Sequence, residues 1–104
     1  MTEKKVYDRE ALERDRAEQE LRRKLSAEQW KSDFMWLMKD KRGRRIVWKI
    51  LSDARVFHSS FVANAPDVMA FNEGQRNIGL MLMDDINRFC PDLYQKIIEE
   101  SKDD

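Results

Sequence analysis

Cysteine and histidine each occur once in this chain of 104 residues, at Cys90 and His58, while glycine occurs three times and proline twice. A lone cysteine cannot close an intramolecular disulfide or build a zinc site by itself, which fits a protein that works inside a cell or inside a virus particle. So few glycines and prolines leave little material for tight hairpins. Ala, Leu, Glu, Lys, Arg, Gln and Met dominate the remainder, so helices are expected throughout. An excess of one charge is also missing, because 20 Lys and Arg stand against 20 Asp and Glu. A polybasic nucleic-acid coat or membrane binder would carry a basic excess, and an acidic solvating tail the reverse. Long apolar runs are absent too. The longest uninterrupted one in the second half, Leu80-Met81-Leu82-Met83, is far below the roughly 20 residues that cross a bilayer, so no membrane insertion is expected. Met1 to Asp8 is polar from the start and lacks the apolar segment of about 7–15 residues that a secretory signal needs. There is no repeat at a fixed period and no low-complexity tract.

What is present reads as an all-α fold, a small bundle of about four to five helices with a charged N-terminal helix. Residues 1–25 form a charged helical segment, expected to be mobile, and residues 26–104 a single helical domain. From about Asp8 to Lys24 nearly every residue is a strong helix former. Glu10 with Arg14, Glu18 with Arg22 and Glu20 with Lys24 are carboxylate-first pairs four apart. Leu12, Leu21 and Leu25 are too few for a sustained heptad seam, so this segment is expected to project from the body or to become ordered on a partner. Ser26 and Gln29 have the spacing of a capping box, which predicts a new helix start there. In that second helix Trp30, Phe34, Leu37 and Met38 share one face. Met35 and Trp36 fall outside it and call for a second surface to cover.

Asp40 is the expected cap of a third helix running to about Ala54, with Ile46, Val47, Ile50, Leu51 and Ala54 as its buried stripe. Residues 56–66 have no clean period and read as a loop pinned by Phe57 and Phe61. A fourth helix, the longest and most buried, is expected from Asp67 or Val68 to Phe89, with Phe71, Ile78, Leu82, Ile86 and Phe89 on its buried face. Gly74 and Gly79 suggest close approach of another backbone within it. Cys90-Pro91-Asp92 ends that helix and starts a fifth, which Leu93, Tyr94, Ile97 and Ile98 pack against the core before it frays from Ser101.

No constellation of catalytic or metal-ligating residues stands out, so neither enzymatic activity nor a cofactor is expected. His58 lies beside Ser59 and Ser60, but neighbours in a loop rarely supply the fixed geometry of base, nucleophile and orienting carboxylate. Cys90, just before a proline, reads as a helix-start residue or small core filler rather than a reactive thiolate. Lys39, Lys41, Arg42, Arg44 and Arg45 combine cations with a helix start, a place where free backbone N–H groups favour an anion. DNA phosphate or an acidic partner surface suits them, and the alternative is a solvated helix start paired with Asp40 and Asp53. Trp30, Phe34, Met35 and Trp36 form a candidate partner or packing surface. Asn72, Glu73, Gln75, Arg76 and Asn77 form a polar block that either fixes packing through a hydrogen-bonded network or meets a partner.

Gly43-Arg44-Arg45, Val47-Trp48-Lys49-Ile50-Leu51, Val56-Phe57, Phe61, the run Phe71-Asn72-Glu73-Gly74-Gln75-Arg76-Asn77-Ile78-Gly79-Leu80, and Pro91-Asp92-Leu93-Tyr94 with Glu99 resemble a family of short tailed-phage proteins. That family is known from Bordetella podophages and related phages and is typically encoded near head and portal genes. The resemblance spans about residues 36–100, and Phe71 to Leu80 is its most specific part. It implies a virion or head-assembly accessory protein without an established chemistry. Together with the missing catalytic constellations and the apolar surface of the Trp30–Met38 helix, it leads to the expectation of a protein in the virion or the host cytoplasm that binds other phage structural proteins, with the head interior, the portal and the DNA-ejection apparatus as candidate sites. It carries over no catalytic residue and no cofactor. A homo-oligomer, a small DNA-binding or packaging factor using residues 39–45, and an early inhibitor of a host protein remain as other readings.

Split along the chain, the neutral total conceals asymmetry. Residues 1–25 balance to plus one, residues 26–60 to plus four and residues 61–104 to minus five. A basic middle and an acidic C-terminal half could pair within one chain or between copies.

Overall fold

Nothing in the first 39 residues interrupts a helix, because the first glycine is Gly43 and the first proline Pro66. A computed structural model describes residues 2–103, with side chains from residue 8 onward. The fold is all-α, with helices α1 (Thr2–Lys39), α2 (Lys41–Asp53), α3 (Pro66–Phe89) and α4 (Asp92–Lys102), and no strand among the described residues. The break expected at Ser26 does not occur, since α1 passes through it. Strong helix formers on both sides keep the backbone paired, and a serine cap alone does not outweigh that pairing. None of the three carboxylate-first pairs between Glu10 and Lys24 closes into an ion pair. The helix here rests on backbone propensity, with Leu12, Leu21 and Leu25 each more than half exposed.

By its internal contacts the chain divides into Met1–Ser32 and Asp33–Asp104. The second unit holds the hydrophobic core. Phe34 and Met38 from the end of α1, Val47 and Leu51 from α2, Ala54 and Val56 after it, Ile86 from α3, Cys90, and Ile97 from α4 are buried together. Removing each large aliphatic or aromatic side chain of this set from water stabilises the domain by roughly 1.5–3 kcal/mol. The Phe34 and Phe89 rings meet edge to face, with centroids 6.3 Å apart. Leu37, Trp48, Leu82, Met83, Leu93, Tyr94 and Ile98 pack around the rim.

Each helix end has a local cause. Asp40 adopts an extended conformation and its carboxylate accepts from the Arg42 N–H, which ends α1 and starts α2. At the end of α2, Arg55 takes a left-handed conformation with φ 57°. The Arg55 N–H donates to the Ser52 carbonyl and the Val56 N–H to the Leu51 carbonyl, a Schellman arrangement in which glycine normally occupies the left-handed position. Arg55→Gly is therefore expected to raise stability by about 1 kcal/mol, less the extra freedom glycine gives the unfolded chain. Chemical denaturation read by circular dichroism checks it, and a lowered midpoint would contradict this account. Pro66 presets the first turn of α3, and Pro91 keeps Cys90 out of the helical region, so α3 and α4 are separate.

Of the expected buried stripe on α2 only Val47, Leu51 and Ala54 are buried, because α3 and α4 cover that side of the helix and leave Ile46 and Ile50 exposed. Two further expectations fail in α3 and the loop before it. Phe71 and Ile78 are exposed rather than buried, and Ile86 is the one fully buried member of the expected face. The helix is turned so that Gly79 meets the end of α2. A Cβ placed on Gly79 would lie 2.1 Å from Val56 Cγ2 and 2.8 Å from Ala54 Cβ, whereas one on Gly74 would meet nothing within 4 Å. Close approach thus explains Gly79 but not Gly74. In the loop, Phe57 packs on Trp48 with ring centroids 5.8 Å apart, while Phe61 is exposed and pins nothing.

Candidate functional site

The last four carbonyls of an α-helix have no partner within it, and α1 ends with no glycine to turn the chain back on them. The first turn of α2 supplies what is missing. Gly43 presses against the Leu37 carbonyl, so closely that a Cβ on it would lie 1.7 Å from that oxygen. The buried Arg44 then reaches across the junction. Its Nη1 donates to the Met38 carbonyl at 2.8 Å and to the Lys39 carbonyl at 3.0 Å. Its Nε donates to Glu100 Oε1 at 3.0 Å and Oε2 at 3.2 Å, and Nη2 lies 2.8 Å from Oε1. One planar guanidinium thus joins the end of α1, the start of α2 and α4, a geometry that a lysine cannot reproduce. The hydrogen bond from Arg44 holds the Glu100 carboxyl below its usual range against the opposing effect of burial, with Arg44, Lys41 and Lys96 adding favourable charge.

The five cations expected to act together are therefore separated by the fold. Arg44 is buried and its charge is matched by Glu100, so it is not available to an external anion. The Asp40 carboxylate already occupies the start of α2, where an anion was expected. Lys39, Lys41 and Arg42 remain exposed around a cleft of about 630 Å³, lined also by Trp36, Leu37, Asp40, Gly43 and Ile46. Trp36 is 76% exposed and Ile46 54% exposed, so the cleft joins an aromatic and an aliphatic wall to a cationic rim. Arg45 lies apart from it, beside a recess of about 10 Å³ between Trp48, Ile97 and Glu100 that has room for no more than a single water. Charge and apolar surface coincide at the cleft.

The other expected surface residues also part company. Phe34 is a core residue, while Met35 and Trp36 are exposed in the same unit. Trp30 belongs to the Met1–Ser32 unit and is 48% exposed. In the polar block, Glu73 pairs with Arg76 at 3.6 Å and accepts a hydrogen bond from the Ser60 hydroxyl. Gln75 Nε2 donates to the Asp53 carbonyl at 3.0 Å and Arg76 Nε to the Val56 carbonyl at 3.3 Å. These contacts tie the N-terminal half of α3 to the loop after α2. Asn72 is half-buried and Asn77 exposed.

The two serines beside His58 are held in structural contacts. Ser60 is engaged by Glu73, the Ser59 hydroxyl accepts from the Phe61 N–H, and His58 is exposed in the loop between them and α2. Burial pushes the Cys90 thiol up, and Asp85 pushes it further, which disfavours the thiolate. Among the described residues no three His, Cys, Asp or Glu side chains are grouped to hold a metal ion, and no helix is long and apolar enough to cross a membrane.

Sequence reasoning missed one surface. Phe71, Ile78 and Met81 form an uncovered apolar stripe on α3, although the first two were read as core. The available signal was Gly79, which lies seven residues before Ile86 on the same side and marks the face that receives another element.

A family model described as Bbp19-like phage protein matches residues 34–99, most of the core-bearing unit and close to the span of the sequence resemblance. No curated protein and no solved structure matches the chain.

Proposed function

The chain belongs to the Bbp19-like phage protein family, and from that premise we propose that it is a virion or head-assembly accessory protein that works by binding other phage proteins rather than by catalysis. The cleft at the α1–α2 junction carries this reading. Trp36 and Ile46 present apolar surface to solvent within reach of Lys39, Lys41 and Arg42. Aromatic and aliphatic anchors with a charged rim are the composition of a protein-binding site, and the complementary partner is an amphipathic segment with acidic flanks. Head interior, portal and ejection apparatus are the sites at which this reading looks for such a partner.

Mass spectrometry of purified mature and immature particles tests the reading. The chain is expected in at least one of them, and its absence from both would overturn the proposal. Trp36→Ala should lower its copy number per particle several-fold while the circular dichroism of the purified variant stays unchanged, because Trp36 is outside the core.

A second reading, DNA binding, is favoured by one observation: Lys39, Lys41 and Arg42 cluster on an exposed surface with their charges turned to solvent. Three cations that each neutralise one phosphate give a log–log salt slope of about −2.7. Duplex binding with that slope, lost in the triple Ala variant, would replace protein binding as the role of this cleft.

A further inference from the structure

Two apolar surfaces of the Asp33–Asp104 unit are open to solvent, and they differ in charge. One is the cleft at the α1–α2 junction, where Lys39, Lys41 and Arg42 stand against the carboxylate of Asp40, a balance of plus two. The other is the stripe of Phe71, Ile78 and Met81 on α3, a helix whose carboxylates Asp67, Glu73, Asp84 and Asp85 stand against Arg76 and Arg88, a balance of minus two. At the C-terminal end of the stripe one cation serves two carboxylates. Arg88 Nε lies 3.2 Å from Asp84 Oδ2 and Nη2 lies 3.2 Å from Asp85 Oδ1, so one negative charge is left over. At the N-terminal end Asp67 is exposed, one turn before Phe71 on the same face. Among the described residues no ion pair takes up Asp67, Lys39, Lys41 or Arg42.

We propose that α3 of a second copy of this chain docks in the cleft, with Phe71 against Trp36 and Ile46 and with Asp67 at the cationic rim. The proposal rests on the reading of the cleft as a protein-binding site and names its partner: an apolar anchor with a carboxylate beside it is what the cleft calls for, and Phe71 with Asp67 is such a pair. Within one copy the two surfaces do not cover each other, since Trp36 is 76% and Phe71 72% exposed. Between copies, burial of the Phe71 ring supplies the attraction, and the opposite charges set orientation and speed of encounter. Pairing α3 with α3 would bring one acidic helix to another, whereas cleft against α3 matches plus two with minus two.

Sedimentation velocity of the full chain at micromolar concentration is expected to show self-association that weakens as salt rises. Trp36→Ala and Phe71→Ala should each weaken it about tenfold or more with unchanged circular dichroism, because both side chains lie outside the core. Mixing the two variants is the decisive arm. One chain keeps an intact α3 and the other an intact cleft, so the mixture should form a one-to-one complex under conditions where each variant alone is monomeric. A monomeric wild type, association that survives either substitution, or a mixture that stays monomeric would overturn the proposal. A monomeric wild type whose Trp36→Ala variant still loses its place in particles would refute self-docking and leave the cleft to another phage protein. Self-association with complementing variants in a chain absent from particles would uphold this contact and refute the virion role.

Discussion

Gly43→Ala is expected to destabilise the domain by about 3 kcal/mol or more and to lower its thermal midpoint by about 12–24 °C. The new Cβ would fall 1.7 Å from the Leu37 carbonyl oxygen and 2.7 Å from its carbon, and both are backbone atoms. No rotamer change relieves such a clash, so the start of α2 must move away from the end of α1. That movement pulls Arg44 from the Met38 and Lys39 carbonyls, because residue 44 follows directly on the displaced backbone. Gly79→Ala provides the contrast. There the nearest atom is Val56 Cγ2, the end of a side chain, and a smaller loss of about 1–2 kcal/mol is expected because that group can shift. Calorimetry of the two variants decides the matter. Equal losses would mean that the α1–α2 junction yields more readily than its geometry implies.

Arg44→Met should cost about 3 kcal/mol, a large share of the stability of so small a domain. Methionine fills much of the volume but leaves the Met38 and Lys39 carbonyls without their donor and Glu100 without its counter-charge. Arg44→Lys should fall between, since an ammonium restores the charge but cannot bond two carbonyls and both carboxylate oxygens at once. The pair also predicts a pH dependence. Glu100 titrates below its ordinary range in the folded protein, so folding favours its deprotonated form. The stabilisation is complete above the unfolded-state pKa of about 4.3 and disappears as pH falls through the lower folded-state value. Denaturation midpoints of the wild type and Glu100→Gln should therefore differ at neutral pH and converge in acid. A gap that persists in acid would assign the loss to packing rather than to charge.

Glycine and proline scarcity, strong helix formers and the positions of Asp40, Pro66 and Pro91 were enough to read an all-α chain and three of its helix boundaries, because these signals act within a turn of the residue that carries them. Ser26 shows the limit of such reading, since a capping residue ends a helix only where the chain has reason to leave it. Phe71 and Phe34 show another. Both are aromatic residues at helical spacing, yet Phe34 packs on Phe89 while Phe71 faces solvent. Spacing tells which residues share a side of a helix, not which side another element will cover.

The candidate site was legible as a cluster of cations but not as an arrangement. By itself the sequence determined the helical class, the basic middle and acidic C-terminal half, and the phage-family pattern, all of which depend on residue identity and local order. The tertiary structure decided that Arg44 serves the α1–α2 junction, that Lys39, Lys41 and Arg42 share a cleft with Trp36, and that Phe71, Ile78 and Met81 on α3 are left exposed. Those outcomes depend on contacts across long stretches of chain, such as Arg44 with Glu100, 56 residues apart. A charge at a helix start becomes a binding group or a structural one according to whether such a distant partner folds onto it.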